Sequence, residues 1–235
     1  MNTTLVINPK GGSGKTTVTI NLASYFAACG IPTTVMDYDP QGSSMNWLGL
    51  RSPNATKIHG ANAARQKGGR LRSMAMYVLP DTEQLIIDAP AAASGVVLQE
   101  MLDRANCIIV PVPPSAIDVH ATANFIRDVL NTATMRARHI PLAIVANKVR
   151  RSMPAYEPLD WFLKTLGLKL LARLIDSDVY LKTAEAGVGI FEMPSSLSIA
   201  EQKQFMPIVE WVESHGRRAV RVDATVRALP RARLA

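Results

Sequence analysis

A chain of 235 residues with 48% hydrophobic side chains suits one α/β domain with a properly buried core. No apolar run approaches the ~20 residues that span a bilayer, and the N-terminus enters a strand directly, so no signal peptide is visible. Two cysteines, Cys29 and Cys107, are too few for a disulfide framework; they read as reduced, buried thiols of a cytoplasmic protein. The formal charge of +7 sits in two segments. Arg51, Lys57, Arg65, Lys67, Arg70 and Arg72 have no acid among them, and Arg217, Arg218, Arg221, Arg227, Arg231 and Arg233 face Asp223 alone. Such clustering suits a polyanion partner, although a solvated surface that keeps the chain soluble has the same composition.

Leu5-Val6-Ile7 is an apolar strand, and Lys15 to about Cys29 reads as a helix, closed by Gly30 and Pro32. Between them lies Lys10-Gly11-Gly12-Ser13-Gly14-Lys15-Thr16-Thr17. Strand, glycine-rich turn and helix cradle a nucleoside triphosphate, because the glycines let backbone N–H groups approach phosphate oxygens at a helix N-terminus. Lys15 would reach the β- and γ-phosphates, and the Thr16 hydroxyl would ligate Mg²⁺. The usual pattern has its first glycine at position 9, where this chain has proline, followed by a second lysine at position 10.

These eight residues resemble the deviant phosphate loop of the ParA/MinD ATPases, which position DNA and protein cargo inside bacteria. The resemblance implies that Lys10 reaches across a dimer to the partner's nucleotide, making an ATP sandwich; spacing alone does not show this. It also implies a SIMIBI-like, deviant P-loop NTPase fold with ATP and Mg²⁺ as cofactors.

Thr33 to Met36 is a second strand, and it runs into Asp37-Tyr38-Asp39-Pro40-Gln41-Gly42. Acids at the C-terminal end of a parallel strand sit at the ligand edge, although an Asp-Pro turn with a helix-capping Ser43 has the same letters. The hexapeptide is similar to the family's second signature. By that likeness Asp39 orients or activates the attacking water and Asp37 supports the magnesium shell. Residues 50–76 lack periodicity; a short helix around Ile58 to Gln66 is the expectation there.

Leu85-Ile86-Ile87-Asp88-Ala89-Pro90 is a buried strand ending in a carboxylate that would serve magnesium directly or through water. By resemblance, Ala89 to Gly95 is the switch that senses the γ-phosphate. Cys107 to Val112 is another strand, Ile117 to Leu130 a helix, and Leu142 to Ala146 a strand that leads into Asn147. Asn147 resembles the family's adenine-reading position; a turn or capping role is the alternative. Leu159 to Leu166 reads as a helix, Leu168 to Ile175 as the last strand, Ser177 to Ala186 as a short helix and Ser198 to Glu213 as an amphipathic one.

Alternating strands and helices predict an α/β fold, a mostly parallel twisted sheet with helices on both faces. Residues 1–215 would form the ATPase domain and 216–235 a basic C-terminal tail. Nucleotide-binding residues are then Gly11, Gly12, Ser13, Gly14, Lys15, Thr16, Thr17 and Asn147. Thr16, Asp37 and Asp88 serve magnesium, and Lys10, Lys15 and Asp39 serve catalysis. The resemblance implies an ATP-dependent homodimer on nonspecific double-stranded DNA, and a cargo-side adaptor that stimulates slow hydrolysis. It further implies a cytoplasmic, nucleoid-associated location. Lys182, Lys203, Arg217 and Arg218 are the DNA candidates, chosen for charge near the C-terminal helices. No helix-turn-helix precedes the loop, which favours the short members. Among these, Ala184 to Glu192 is more similar to the subgroup that moves protein cargo.

A MinD-like membrane-associated ATPase is the alternative. The tail lacks Phe and Trp and carries β-branched valines, which disfavours an amphipathic membrane helix. An iron-protein-like reductase would need exposed cysteines in its switch loops. No substrate pocket of a metabolic kinase or ligase is legible, and a DNA-binding module without catalysis would have no use for Asp37, Asp39 and Asp88 beside a phosphate loop.

Overall fold

The computed structural model describes residues 1–64, 76–150, 163, 167–168 and 170–215. Seven strands, β1 (Asn2–Val6), β2 (Thr33–Asp37), β3 (His59–Asn62), β4 (Gln84–Asp88), β5 (Cys107–Val112), β6 (Leu142–Val149) and β7 (Leu170–Ile175), form one sheet in the order β3-β2-β4-β1-β5-β6-β7. Every adjacent pair is parallel. The strands β1, β2, β4 and β5 are almost wholly buried, as continuous apolar runs must be when both faces of a sheet are covered.

Alternation along each strand sends neighbouring side chains to opposite layers. Leu5, Ile7, Met36, Leu85 and Ile87 pack with Met101, Leu102, Val119 and Ile126, from α3 (Gly95–Arg104) and α4 (Ala116–Leu130). Val6, Val35, Ile86 and Ile109 instead meet Val18, Leu22, Phe26, Phe205, Ile208 and Val212, from α1 (Lys15–Ala28) and α7 (Ser195–His215). The layer of α1 also takes α2 (Ser43–Leu50) and α6 (Asp178–Glu185), and α5 (Ala133–Arg138) packs on α3. The expected α/β architecture with helices on both faces is present.

The short helix expected around Ile58 to Gln66 is corrected: His59–Asn62 is strand β3, paired with β2 from Thr34↔His59 to Asp37↔Asn62. Its Gly-Ala-Asn core has little intrinsic strand preference, so the pairing is imposed by its neighbour. The N–H groups of Ala63 and Ala64 hold it there by donating to the Asp37 carbonyl at 2.8 and 3.1 Å. Cys29 is corrected as well. It caps α1 and is exposed, whereas Cys107 is buried in β5. The helix expected over Leu159 to Leu166 lies outside the described residues apart from Leu163, which is helical and buried. The tail 216–235 also lies outside them.

Within the Ala184 to Glu192 stretch, Gly187, Gly189 and Ile190 are buried against the rest of the domain, while Glu185 and Ala186 are exposed. Arg51, at the end of α2, makes a bidentate pair with Glu192 at 2.9 and 2.6 Å and donates to the Gly187 carbonyl at 3.1 Å. Its guanidinium lies 4.9 Å from the Trp47 ring centre. Gly187 has φ +66°, and a Cβ there would come within 2.5 Å of the Leu50 backbone carbon. Positive φ and a backbone collision make alanine costly by about 2–4 kcal/mol. Gly187→Ala is therefore expected to melt roughly 4–16 °C lower by calorimetry; an unchanged midpoint would contradict this tight approach.

Candidate functional site

β1 lies at the centre of the sheet, with β4 on one side and β5 on the other. Parallel sheets bind ligands outside the carboxyl ends of their strands, and there the chain gathers its glycine-rich loop and its acids. Gly14 holds φ 94° at the N-cap of α1, and Gly12 also has positive φ, 71°. Lys15 is buried, and its Nζ donates to the Lys10 carbonyl at 3.0 Å. Burial lowers its pKa while Asp88 and Asp39 support its charge. An ammonium fixed beside a glycine-rich turn at a helix N-terminus is built to meet phosphate.

The loop is braced from several sides. Asn8 donates through Nδ2 to the Pro111 carbonyl at 2.8 Å and to the Thr122 hydroxyl at 3.0 Å. Its Oδ1 accepts from the Lys10 N–H at 2.8 Å. Asn147 is buried, and its Nδ2 donates to the Ser13 carbonyl at 2.9 Å. A Cβ at Gly14 would fall 1.8 Å from that nitrogen, so only glycine admits the contact. One amide N–H of Asn147 is thus committed to the loop, which adds a bracing role to the base-side position expected of it. Ala92, with φ 56°, donates its N–H to the Pro9 carbonyl at 2.9 Å, tying the segment after Asp88 to the loop.

Asp37 is fully buried and organises the turn that follows β2. Its Oδ1 accepts from the Asp39 N–H at 2.9 Å, and its Oδ2 accepts from the N–H groups of Ser44 at 3.1 Å and Met45 at 3.3 Å. Desolvation raises its pKa, and these bonds oppose the rise. Its carboxylate anchors the start of α2. Asp39 is half-buried, with Oδ1 accepting from the Gln41 N–H at 2.9 Å.

Asp88 closes β4. The hydroxyls of Thr16, at 2.8 Å, and Ser44 both donate to its Oδ2. Its Oδ1 is buried with no hydrogen-bond partner. Burial pushes its pKa up to about 7, against the Ser44, Thr16 and Lys15 contributions that lower it. A buried carboxylate oxygen without a donor, beside a hydroxyl, fits a hard cation that keeps several of its waters. Thr16 and Asp88 would hold Mg²⁺, which would neutralise charge on the phosphates.

A cleft of about 510 Å³ is lined by Gly11, Gly12, Gly14, Lys15, Thr16, Thr17, Asp39, Pro90 and Lys148. A second hollow of about 340 Å³ shares Thr17 and Lys148 with it. This second hollow is walled by Asn147 and by Asp176, Ser177, Asp178 and Tyr180, at the end of β7 and the start of α6. The two hollows meet at Thr17 and Lys148. The Tyr180 hydroxyl is buried without a partner, and burial, reinforced by Glu201, raises its pKa well above the usual phenol range. A larger hollow of about 630 Å³, lined by Pro32, Leu48, Ile58 and Leu79, lies at the opposite edge near the start of β2 and is remote from these groups.

Lys10 stands at the rim. Its side chain is 39% exposed, and its Nζ lies 3.8 Å from Asp118 Oδ1 in the first turn of α4. Lys182 and Lys203 are exposed on α6 and α7, while Arg217 and Arg218 fall outside the described residues. Sequence reasoning missed Ser44, Asp118 and the 176–180 wall. The strand-end rule that found Asp37 and Asp88 applies equally to Asp176 after β7. For Ser44 and Asp118 no local signal exists.

The family described as the CobQ/CobB/MinD/ParA nucleotide binding domain matches residues 4–187. Maintenance of carboxysome distribution protein A from Gloeobacter kilaueensis is 29% identical over 167 residues, covering 65% of this chain and 73% of its own. The protein of that name from Halothiobacillus neapolitanus is 22% identical over 81% of this chain and 87% of its own. The fold is shared with the ATP complex of a Cyanothece McdA variant, at a TM-score of 0.68 and 14% identity, covering 92% of this chain and 96% of that one.

Proposed function

Because this chain belongs to the CobQ/CobB/MinD/ParA nucleotide-binding family, we propose that it is a ParA-like ATPase that positions a cellular cargo. With Mg²⁺ and ATP it forms a sandwich dimer, and the dimer binds double-stranded DNA without sequence preference. A cargo-side adaptor then stimulates hydrolysis, and the dimer lets go. It works in the cytoplasm, on the nucleoid. The cargo is a protein assembly such as a carboxysome or chemoreceptor cluster, or a plasmid or chromosome. The names of the carboxysome-distribution relatives favour the protein assembly.

The observation that carries this reading is the division of labour between two lysines. Lys15 is buried in the cradle of its own loop, whereas Lys10 is held at the rim by one partly exposed ion pair, a contact of small net worth. A second cation there has a use when a second nucleotide approaches from outside. Val96 and Ile117, 80% and 74% exposed, start the helices that follow β4 and β5, the strands on either side of β1. A second copy would cover this apolar rim. The overall charge of +7 and the exposed Lys182 and Lys203 suit a phosphate backbone. Among the described residues no helix is long and apolar enough to cross a membrane.

The test measures binding to nonspecific duplex DNA with ATP, ADP or no nucleotide across a salt series. Binding is expected with ATP alone and falls steeply as salt rises, because phosphate contacts release counterions. Lys10→Ala should still bind ATP but stay monomeric in sedimentation and lose the DNA complex. An ATP-dependent dimer of Lys10→Ala would refute the sandwich role. No DNA binding in any state would overturn the nucleoid reading and make anionic liposomes the next surface to try.

A further inference from the structure

Ser44 belongs to no phosphate-binding pattern, yet it joins the two buried carboxylates of the site. Its backbone N–H donates to Asp37 Oδ2 at 3.1 Å, and its hydroxyl donates to Asp88 Oδ2. The side chain is fully buried. A serine in the first turn of a helix commonly bonds the backbone nearby; this one reaches instead to a residue 44 positions away. Thr16 donates to the same Oδ2 at 2.8 Å, so two hydroxyls converge on one oxygen and the other, Oδ1, is left buried without a partner.

We propose that Ser44 is a positioning residue for magnesium. It fixes the Asp88 carboxylate so that Oδ1 stays available to the magnesium shell, and it ties that carboxylate to the 39–44 segment that carries Asp39. Loading of the metal and placement of Asp39 are thereby one event. Ser44 touches neither phosphate nor attacking water and acts through Asp88. The inference rests on the reading of this edge as a magnesium–nucleotide site.

The experiment titrates a fluorescent ATP analogue against the full chain at fixed nucleotide and rising Mg²⁺, and again in EDTA. Loss of one hydrogen bond to a charged group should raise the magnesium midpoint of Ser44→Ala about five- to tenfold. Nucleotide affinity in EDTA should stay within about twofold, well under one hydrogen bond's worth. Ser44→Cys, with a weaker donor, should fall between, and it serves as the second variant if alanine unfolds. A merely structural serine would instead lower the melting temperature and weaken binding equally with and without magnesium; that pattern, or an unchanged midpoint, overturns the proposal. Wild-type chain that binds nucleotide with no dependence on magnesium would overturn the site reading itself, and this inference with it.

Discussion

Lys15→Ala should lose ATP on the order of 100-fold in affinity, the worth of about 3 kcal/mol of charge-assisted bonding. The ammonium is buried and already aimed along the loop, at 3.0 Å from the Lys10 carbonyl, so phosphate oxygens entering the cradle meet a pre-oriented donor. No other buried lysine stands among the described residues of the loop, and Lys10 at the rim is held by Asp118. Equilibrium binding of a fluorescent ATP analogue measures the effect. Affinity within threefold of the parent would remove Lys15 from the phosphate site. A melting temperature unchanged in the absence of nucleotide would assign the loss to binding rather than to folding.

Asp39→Ala should separate chemistry from binding. Asp39 lines the same cleft as Lys15 and Thr16, and its own partner is a nearby backbone N–H, Gln41, at 2.9 Å. Removing it leaves the Lys15 cradle and the Asp88 edge intact. Single-turnover hydrolysis is expected to slow by roughly 10²–10⁴-fold, the range for a positioned general base. ATP affinity should hold, or tighten slightly as a negative charge leaves the phosphate edge. The variant should accumulate as the ATP-bound, DNA-bound form. Turnover at the parental rate would exclude Asp39 from the mechanism.

The parts of the site that were legible in the sequence share one property. The loop 10–17, Asp37, Asp39 and Asp88 each lie at the end of an apolar run, so strand polarity brings them to one edge without any knowledge of tertiary contacts. The helix α1 was legible from its caps, although ten of its fourteen residues are buried and it has no polar face to give a periodic signal. β3 was not legible, because its pairing to β2 supplies what His-Gly-Ala-Asn lacks. Ser44 and Asn147 owe their duties to residues 44 and 134 positions away, and nothing local in the chain announces such partners. Asp37 was located correctly, but its engagement by three backbone N–H groups depends on the path of the following turn.

The central position of β1 carries a consequence for how the molecule is made. Asn2 to Val6 pair with 84–88 on one side, and Thr4 to Val6 with 107–109 on the other. During synthesis this strand therefore waits for its neighbours until about a hundred residues have followed it. Pairings this distant in sequence carry a large loop-closure cost and fold slowly. Meanwhile Leu5-Val6-Ile7, fully buried once folded, presents an apolar strand with two open edges to the cell, the form of nascent chain that chaperones are there to shield. Asn147 reaches the loop from β6 still later in the chain, so the phosphate cradle gains its full bracing only once β6 has been made.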